Sequence, residues 1–195
     1  MYFLCRKDCT DMRNKKIRML CEGAVFLALA QILSYIKLYE FPNGGSIDLC
    51  AMLPIVLFAV RWGVGWGTLV GFVYGLLQYF LGNGIAIDWT SMIADYLIAY
   101  LLLGFGAGLF HGMKYGVYFG AVCGGVLRFF AHYVVGAVVW GKYMPDTFFN
   151  MTMTSPWFYS LLYNGSYMLP DIILVVVLFA LLYKPLNKYF TCQDL

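Results

Sequence analysis

The chain is 195 residues long, and 62% of its residues are hydrophobic. Only 12% are charged, where soluble domains average about 25%. This composition excludes an ordinary water-soluble domain and indicates a membrane protein with one compact domain. The formal net charge of +3 lies mostly in the tails and short loops, which bears on membrane orientation and argues against nucleic-acid binding.

Motifs for enzymatic chemistry and for metal binding are missing from the sequence. The six cysteines are scattered, without paired CxxC spacing or clustered histidines, so neither a zinc site nor a disulfide framework is predicted. There is no G-x-x-x-x-G-K-[ST] loop, no H-E-x-x-H and no G-x-S-x-G. The sequence therefore predicts no catalytic residue, no metal and no cofactor, and an enzyme is not indicated.

The N-terminal region imitates a secretory signal peptide, with a basic run followed by apolar residues and Ala28-Leu-Ala30. We reject that interpretation because the apolar stretch continues to Tyr39 and because Glu22 interrupts it. Residues 1–11 differ in character from the rest and are interpreted as a tail or an over-extended start. Residues 12–195 are then expected to form one transmembrane substrate-binding domain.

Six apolar segments follow, each near the roughly 20 residues that a bilayer requires, except for a short second one. They span residues 17–39, 50–60, 63–82, 88–111, 115–141 and 157–183. The predicted fold is an all-α membrane protein with six transmembrane helices in one bundle.

The distribution of lysine and arginine predicts the orientation. Most of them fall on one side if both termini are cytoplasmic, as the positive-inside rule requires. These are Arg6, Lys7, Arg13, Lys15, Lys16, Arg18, Arg61, Lys114, Lys184 and Lys188. The opposite, extracellular side carries Glu40, Asp48, Asp88 and Asp146. A mildly acidic mouth of this kind attracts cations.

Small residues recur every four positions in several segments. The two longest series are Gly63, Gly67, Gly71 and Gly75, and Gly104, Gly108 and Gly112, which continues at Gly116, Gly120 and Gly124. Such spacing lets transmembrane helices approach backbone to backbone, so we interpret both series as packing surfaces. Ala24 and Ala28 form a shorter pair on the first segment.

Polar side chains inside the segments are hypotheses for a functional site, because each is costly in lipid. At about 1.5 Å per residue, Asp95, His132 and Asn164 come out at one depth, about 10–12 Å from the outer edge. Tyr74 falls at a similar depth of about 12 Å. The arithmetic predicts that these groups share one level of the bundle.

Arg128 and Asp171 come out deeper, at about 18 and 21 Å, on segments that are adjacent in sequence. Buried charges commonly pair with one another, so a structural ion pair between them is predicted.

Asp95 has no lysine or arginine at its predicted depth. One interpretation gives the carboxylate an internal partner such as Tyr100, and the other gives it a cationic ligand. His132, Gly136 and Trp140 favour the second interpretation, because they share one helical stripe in which the glycine leaves room and the indole offers a π-face to a cation.

Tyr159 and Asn164 add a phenol and an amide at the same end, and an amide that donates and accepts suits a heteroaromatic ring. The polar groups together describe a small, aromatic-lined cavity that opens to the outside and holds one carboxylate. Its expected ligand is a flat, positively charged molecule with ring nitrogens. The Pro/Gly-containing connections 40–48 and 142–156 are expected at its mouth, where they could cover it.

These residues resemble the thiamine-specific S component (substrate-binding subunit) of energy-coupling factor (ECF) vitamin transporters, over roughly residues 12–190. The resemblance rests on Asp48-Leu with Met52-Leu-Pro-Ile-Val, Tyr74-Gly-Leu-Leu-Gln78, Asp95-Tyr96 with Leu103-Gly-Phe-Gly-Ala-Gly, Arg128-Phe-Phe-Ala-His132 with Gly136 and Trp140, and Tyr159-Ser-Leu-Leu-Tyr-Asn164-Gly-Ser-Tyr-Met-Leu-Pro170.

The resemblance implies a multi-pass protein of the bacterial cell membrane that binds thiamine near its extracellular face. It implies a ligand set of Asp95, Tyr96, His132, Gly136, Trp140, Tyr159 and Asn164, with Tyr74 as a further candidate. It also implies docking of Ala24 and Ala28 on a transmembrane coupling subunit that works with two ATP-binding subunits.

The sequence departs from the family at two places. Asp95 stands where Glu is usual, and the first outer loop, Pro42-Asn-Gly-Gly-Ser46, has no tryptophan. Asp is one methylene shorter than Glu, which would draw the ligand inward or insert a water. The missing loop tryptophan, together with Tyr74 at a position where relatives can have Trp, weakens stacking on the ligand. An S component for another vitamin or a thiamine precursor is therefore an alternative. A second alternative is a membrane scaffold subunit without transport function.

Overall fold

The computed structural model describes residues 2–41, 44–82 and 86–194, with side chains described from residue 13 onward. The helices are α1 (Tyr2–Ser34), α2 (Met52–Trp62), α3 (Val64–Leu81), α4 (Trp89–Gly108), α5 (Gly116–Val138), α6 (Pro156–Tyr183) and α7 (Asn187–Phe190). The strands are β1 (Lys37–Glu40), β2 (Ser46–Asp48), β3 (Thr147–Phe148) and β4 (Met151–Thr152). The side chains of the predicted tail, residues 1–11, and loop residues 42–43 lie outside this description.

Five helices are long and apolar enough to cross a membrane: α3, α4, α5, α6 and the part of α1 from Arg13 to Ser34. They contain 18 to 28 residues, and at about 1.5 Å per residue even the shortest reaches about 27 Å. The sixth helix, α2, has only 11 residues. The predicted helical membrane bundle, with its short second segment, is confirmed.

The short helix α2 forms the centre of the bundle. Ile55, Val56, Ala59 and Val60 have no exposed surface, and α2 packs against α1, α3, α4 and α5. A helix that is apolar on all sides is stable only where neighbours cover it completely. The sequence of α2 is apolar on all sides until Arg61 near its end, which is why this helix lies inside the ring formed by the others.

The glycine series bring the helix backbones into contact, as predicted. A methyl group on Gly75 would lie 2.5 Å from the carbonyl oxygen of Tyr96, and Gly71 faces the carbonyl of Tyr100 in the same way. At these two glycines, α3 and α4 therefore meet backbone against backbone, with no room for a side chain at either position.

Two of the connections between helices contain short antiparallel hairpins that the sequence did not predict. β1 pairs with β2, and β3 pairs with β4. The predicted first segment is wrong at its end, because α1 stops at Ser34 and residues 37–40 extend as a strand. The predicted fifth segment likewise ends early, at Val138, and Trp140–Tyr143 forms a 3₁₀ turn. We call the part of the bundle that carries these hairpins the hairpin end.

The opposite end, which we call the basic end, is tied together by a buried arginine. The side chain of Arg61 has no exposed surface, and it pairs with Glu22 of α1 at 3.2 Å and with Asp194 near the C-terminus at 3.0 Å. Arg18 contacts the same two carboxylates. Burial alone would raise the pKa of Asp194, but hydrogen bonds from Arg61 and Arg18 outweigh it and hold this pKa below its ordinary value.

The backbone contact between α3 and α4 predicts that the effect of a glycine-to-alanine substitution on thermal stability depends strongly on its position in α3. Gly71→Ala places a methyl group against the Tyr100 carbonyl, and overpacking of this kind costs about 1–3 kcal/mol. Gly65→Ala, on the same helix, meets nothing within 4 Å and serves as the control. Thermal unfolding of the purified protein in detergent is expected to show a lower midpoint for Gly71→Ala and an unchanged or higher one for Gly65→Ala. Equal midpoints would contradict this packing.

Candidate functional site

A cavity of about 400 Å³ lies at the hairpin end, between α4, α5, α6 and the β1–β2 hairpin. Its volume falls within the range of small-molecule sites, roughly 300–1,000 Å³. Seven of the eight predicted ligand residues line it: Asp95, Tyr96, His132, Gly136, Trp140, Tyr159 and Asn164. The structure thus brings these residues together around one space, and their binding of a ligand stays a prediction.

The carboxylate of Asp95 is the charged centre of the wall. One oxygen lies 3.0 Å from Nδ1 of His132, and the other accepts a hydrogen bond of 2.9 Å from Nε1 of Trp140. An intramembrane carboxylate is stable only with such partners. Asp95 therefore has internal hydrogen-bond partners, although not the predicted Tyr100, and it still faces the cavity.

The backbone that carries Asp95 and Tyr96 is unusual. Residues Met92–Ile98 form a π-helical segment inside α4, and such segments are rare and concentrate at functional sites. The wider turn changes the direction in which these side chains point relative to a regular α-helix. Contact between Gly75 and the Tyr96 carbonyl holds the segment in place from the α3 side.

His132 has one nitrogen engaged and one available. An ionised carboxylate can only accept hydrogen bonds, so Nδ1, which faces Asp95, carries the proton. Nε2 is buried and has no hydrogen-bond partner among the described residues. In the neutral ring with Nδ1 protonated, Nε2 is thus an acceptor whose hydrogen-bonding capacity is not used by the described part of the protein.

Asn164 joins α6 to α5 at the same level. Its amide nitrogen donates to the backbone oxygen of Ser160 at 2.9 Å and to that of His132 at 3.3 Å, and its oxygen accepts from Tyr167 at 2.7 Å. The amide group is therefore already used within the protein. A methyl group on Gly136 would lie 2.9 Å from the Asn164 nitrogen, so this glycine makes room for α6 and not only for a ligand.

Tyr74 was predicted to contact the ligand, but the structure does not place it in the cavity wall. Its side chain is 1% exposed, packs edge-to-face on Tyr100 and donates a hydrogen bond to the Ala30 carbonyl, so it lies behind the cavity wall. Gln78, one turn nearer the hairpin end, lines the cavity instead. The rise per residue predicts a depth along α3, but a helical depth does not determine which way a side chain points.

The predicted ion pair between Arg128 and Asp171 is also corrected. Among the described side chains, the two do not make a contact pair. Arg128 donates from Nη2 to the hydroxyl of Tyr100 at 3.1 Å, and its guanidinium carbon lies 4.5 Å from the centre of that ring. Asp171 instead accepts a hydrogen bond of 3.2 Å from the backbone nitrogen of Asp48. The two charges attract each other only over a longer distance.

Several lining residues were missed by the sequence analysis. Arg128 reaches the cavity, and its buried Nε has no hydrogen-bond partner in the described part of the chain. Ser160, Tyr163 and Tyr167 also line it. These three lie three and four residues apart on α6, on the face that carries Asn164, so helical periodicity from the predicted residue could have found them.

The hairpins contact the wall of the cavity through hydrogen bonds and aromatic rings. The backbone nitrogen of Gly45 donates to the hydroxyl of Tyr163 at 2.9 Å. Phe148 of β3 packs edge-to-face on Tyr159, with ring centroids 5.6 Å apart. The connection 40–48 thus lies at the cavity, whereas 142–156 reaches it only through the packing of Phe148 on the lining residue Tyr159.

Charges of both signs line the mouth. Lys37 and Glu40 pair with each other at 2.8 Å. Burial raises the pKa of the Asp48 carboxyl, although the Ser46 hydroxyl and the charge of Arg128 oppose this shift. No group of three or more residues suited to hold a metal ion occurs within the described ranges.

The contacts of Arg128 and Asp171 predict that exchanging them will fail. In the double variant Arg128→Asp with Asp171→Arg, an aspartate can no longer donate to Tyr100 and an arginine can no longer accept from Asp48. We expect both single variants and the double variant to show similarly low yields of monodisperse protein in size-exclusion chromatography. Recovery by the double variant beyond either single change would restore the contact pair as the better description.

Comparisons with known proteins agree on one family. The family model of the thiamine transporter protein (Thia_YuaJ) matches residues 20–191. Thiamine transporter ThiT of Bacillus subtilis is 30% identical over 185 residues, which cover 88% of this chain and 93% of that protein. Thiamine transporter ThiT of Lacticaseibacillus paracasei is 27% identical over 198 residues, with 93% of this chain and 94% of that protein covered.

A solved structure shows the same arrangement of helices. ThiT from Listeria monocytogenes superposes with a TM-score of 0.78 at 25% sequence identity, over 90% of this chain and 98% of that one. The matched proteins are named transporters, which is a non-enzymatic function. The helical membrane bundle is therefore shared with a transport protein that has been solved.

Proposed function

Because the chain belongs to the thiamine transporter family, whose model covers residues 20–191, we propose that it is the thiamine-binding S component of an ECF transporter. It is a multi-pass bacterial membrane protein that serves thiamine uptake and is not an enzyme. The observation that supports a binding role for this chain most directly is the Asp95 carboxylate in an aromatic-lined cavity of about 400 Å³.

Thiamine has the chemistry that this cavity suits. It joins a permanently cationic thiazolium ring to a neutral aminopyrimidine that donates and accepts hydrogen bonds. Asp95 would compensate the cation or accept from the amino group, while the rings of Trp140 and Tyr159 would stack on the ligand. His132 would offer Nε2 as an additional hydrogen-bonding group.

The side chain of Asp95, which is one methylene shorter than the usual Glu, is compatible with this role. Both oxygens of the Asp95 carboxylate already accept hydrogen bonds from the protein, which fixes the orientation of the carboxylate before a ligand arrives. A ligand would then add to a prepared anionic site, which reduces the ordering cost of binding. A water could fill the length of the methylene that Asp lacks relative to Glu.

We propose that both termini are cytoplasmic and that the cavity opens to the outside. The described basic side chains of the basic end are Arg13, Lys15, Lys16, Arg18, Arg61, Lys114, Lys184 and Lys188. The positive-inside rule assigns such an end to the cytoplasm. The hairpin end would then face the medium from which thiamine is taken up.

Transport would require a transmembrane coupling subunit and two ATP-binding subunits, which other chains supply. Ala24 and Ala28 of α1 are exposed on the outer surface of the bundle, next to exposed Val25 and Leu29. Small residues on a lipid-facing helix allow a second helix to approach closely. This face is the proposed docking surface for the coupling subunit.

Isothermal titration of the purified protein with thiamine tests the central claim. We expect tight binding by the natural sequence and a loss of about 30-fold or more for Asp95→Asn, because removing one member of a buried charged pair costs about 2–5 kcal/mol. Asp88→Asn is the matched control, since it makes the same change of charge at the start of α4, and asparagine still caps a helix.

Three outcomes of that titration separate the alternatives. Equal affinity of Asp95→Asn and the natural sequence would remove the electrostatic role of Asp95. Absence of binding by the natural sequence would favour a scaffold subunit. Displacement of thiamine by pyrimidine or thiazole fragments at similar concentrations would favour an S component for a precursor.

If Ala24 and Ala28 form the docking surface, enlarging them should reduce thiamine uptake without changing thiamine binding. Ala24→Leu with Ala28→Leu should leave thiamine affinity unchanged in the isolated protein, since both side chains lie far from the cavity. Uptake of labelled thiamine by cells that also produce a coupling module should fall at least severalfold, because larger side chains keep the partner helix away. Ala180→Leu on α6 is the control, because Ala180 is likewise exposed. Equal uptake by all three proteins would argue against this docking surface.

A further inference from the structure

A second cavity, of about 330 Å³, lies at the basic end of the bundle. Its wall carries Lys15, Lys16, Arg61, Trp62, Trp66 and His111. We propose that this cavity binds the phosphate-bearing headgroup of an anionic phospholipid. The inference does not depend on thiamine binding, because the thiamine cavity lies at the other end.

Among the side chains described from residue 13 onward, the charges around the cavity leave an excess of positive charge. Arg18 and Arg61 share the two carboxylates of Glu22 and Asp194, so these four groups compensate one another. Lys15 and Lys16 are exposed, and no carboxylate pairs with either of them among the side chains from residue 13 onward that the structure describes. Both lysines line the cavity together with the buried Arg61, so an anionic ligand in it would meet three basic side chains.

The position of the cavity is that of the boundary between lipid and water. Lys15 and Lys16 lie in the basic run of α1 that directly precedes its apolar part, which starts at Met19. Trp66 is 41% exposed at the start of α3, and Trp62 donates from Nε1 to Glu22 at 2.9 Å. Tryptophan and lysine concentrate at this boundary, where phospholipid phosphates lie.

Apolar surface continues from the cavity toward the membrane interior. Leu20 lies one turn beyond Lys16 on α1 and is 61% exposed. Leu69 lies nearly one turn beyond Trp66 on α3 and is 48% exposed. A phospholipid would place its phosphate between the lysines and its acyl chains along these leucines, whereas a soluble phosphate would use only the polar part. This continuity is why we assign the site to a lipid.

His111 completes the polar wall. Its Nδ1 lies 2.9 Å from the carbonyl oxygen of Val60, and a carbonyl can only accept, so Nδ1 carries the proton. That hydrogen bond fixes the ring to the end of α2. Basic and aromatic side chains from α1, α2, α3 and the chain after α4 thus converge on one space, as in headgroup pockets between transmembrane helices.

Native mass spectrometry of the full chain, released from detergent with added lipid, tests the proposal. The lipids are phosphatidylglycerol and phosphatidylcholine with identical acyl chains. We expect the natural sequence to retain phosphatidylglycerol preferentially. Lys15→Gln with Lys16→Gln should reduce this retention about tenfold, and each single variant should reduce it about threefold, because juxtamembrane lysines contribute additively to anionic-lipid binding.

Lys184→Gln with Lys188→Gln is the matched control, since both residues are exposed at the same end and the charge change is identical. Its phosphatidylglycerol retention should stay within about twofold of the natural protein's, because neither lysine lines the cavity. Equal losses in the two double variants would indicate a diffuse basic surface and overturn the assigned site. Equal retention of the two lipids by the natural sequence would also overturn it.

Inorganic phosphate provides the second arm of the experiment. Added in large molar excess to the protein loaded with phosphatidylglycerol, it should leave the lipid bound. Displacement by phosphate alone would identify a site for soluble anions and reject the lipid assignment. Thermal unfolding midpoints of both double variants should match that of the natural sequence, since all four side chains are exposed. If the Lys15/Lys16 double variant is destabilised, the lipid retention of the two single variants decides whether the site is correct.

Discussion

The buried carboxylate of Asp95 imposes the strongest constraint on the hairpin end of the bundle. A charge in this position is expensive unless hydrogen-bond donors surround it. His132 of α5 and Trp140 just beyond α5 supply them, at 3.0 and 2.9 Å. Both donors come from the same stretch of chain, so the carboxylate fixes where α5 stands relative to α4. It also bears on where α5 ends, since Trp140 meets Asp95 from a 3₁₀ turn that follows Val138.

The position of Asp95 depends in turn on backbone packing. Gly75 allows α3 to contact the carbonyl of Tyr96, inside the π-helical segment that carries Asp95. On the other side, Gly136 allows α6 to approach α5 closely enough for Asn164 to donate to the His132 carbonyl. Residues without side chains therefore determine the spacing of the residues that form the site. In this bundle, helix packing therefore determines the geometry of the site.

Much of this arrangement could be predicted from the sequence, because helices convert residue number into depth. The shared level of Asp95, His132 and Asn164 followed from the rise per residue, and the structure brings the three side chains together. The same arithmetic failed for Tyr74, because depth does not specify the direction of a side chain around the helix. Tyr74 points behind the wall toward Ala30.

The prediction of an ion pair between Arg128 and Asp171 failed for a different physical reason. Arg128 and Asp171 have similar depths, but their partners come from elements outside α5 and α6. The hairpin β1–β2 supplies the backbone nitrogen of Asp48. The sequence analysis placed most of β1 in the first helical segment and β2 in a loop, so it did not predict this partner. The π-helical segment and the 3₁₀ turn were equally inaccessible, since a periodicity of 3.6 residues does not distinguish them from a regular helix.

The hydrogen bonds of the cavity define what it can select. Asp95 provides negative charge but already accepts from two donors, whereas buried Nε2 of His132 and Nε of Arg128 have no partner among the described residues. A simple cation would satisfy the carboxylate and leave both nitrogens unpaired, at a cost of about 1–3 kcal/mol for each buried group. A ligand that carries a positive charge and also hydrogen-bonding ring atoms would avoid that cost. Under the proposed function, these unsatisfied nitrogens would add to the charge of Asp95 in favouring a cationic heterocycle over a simple ion.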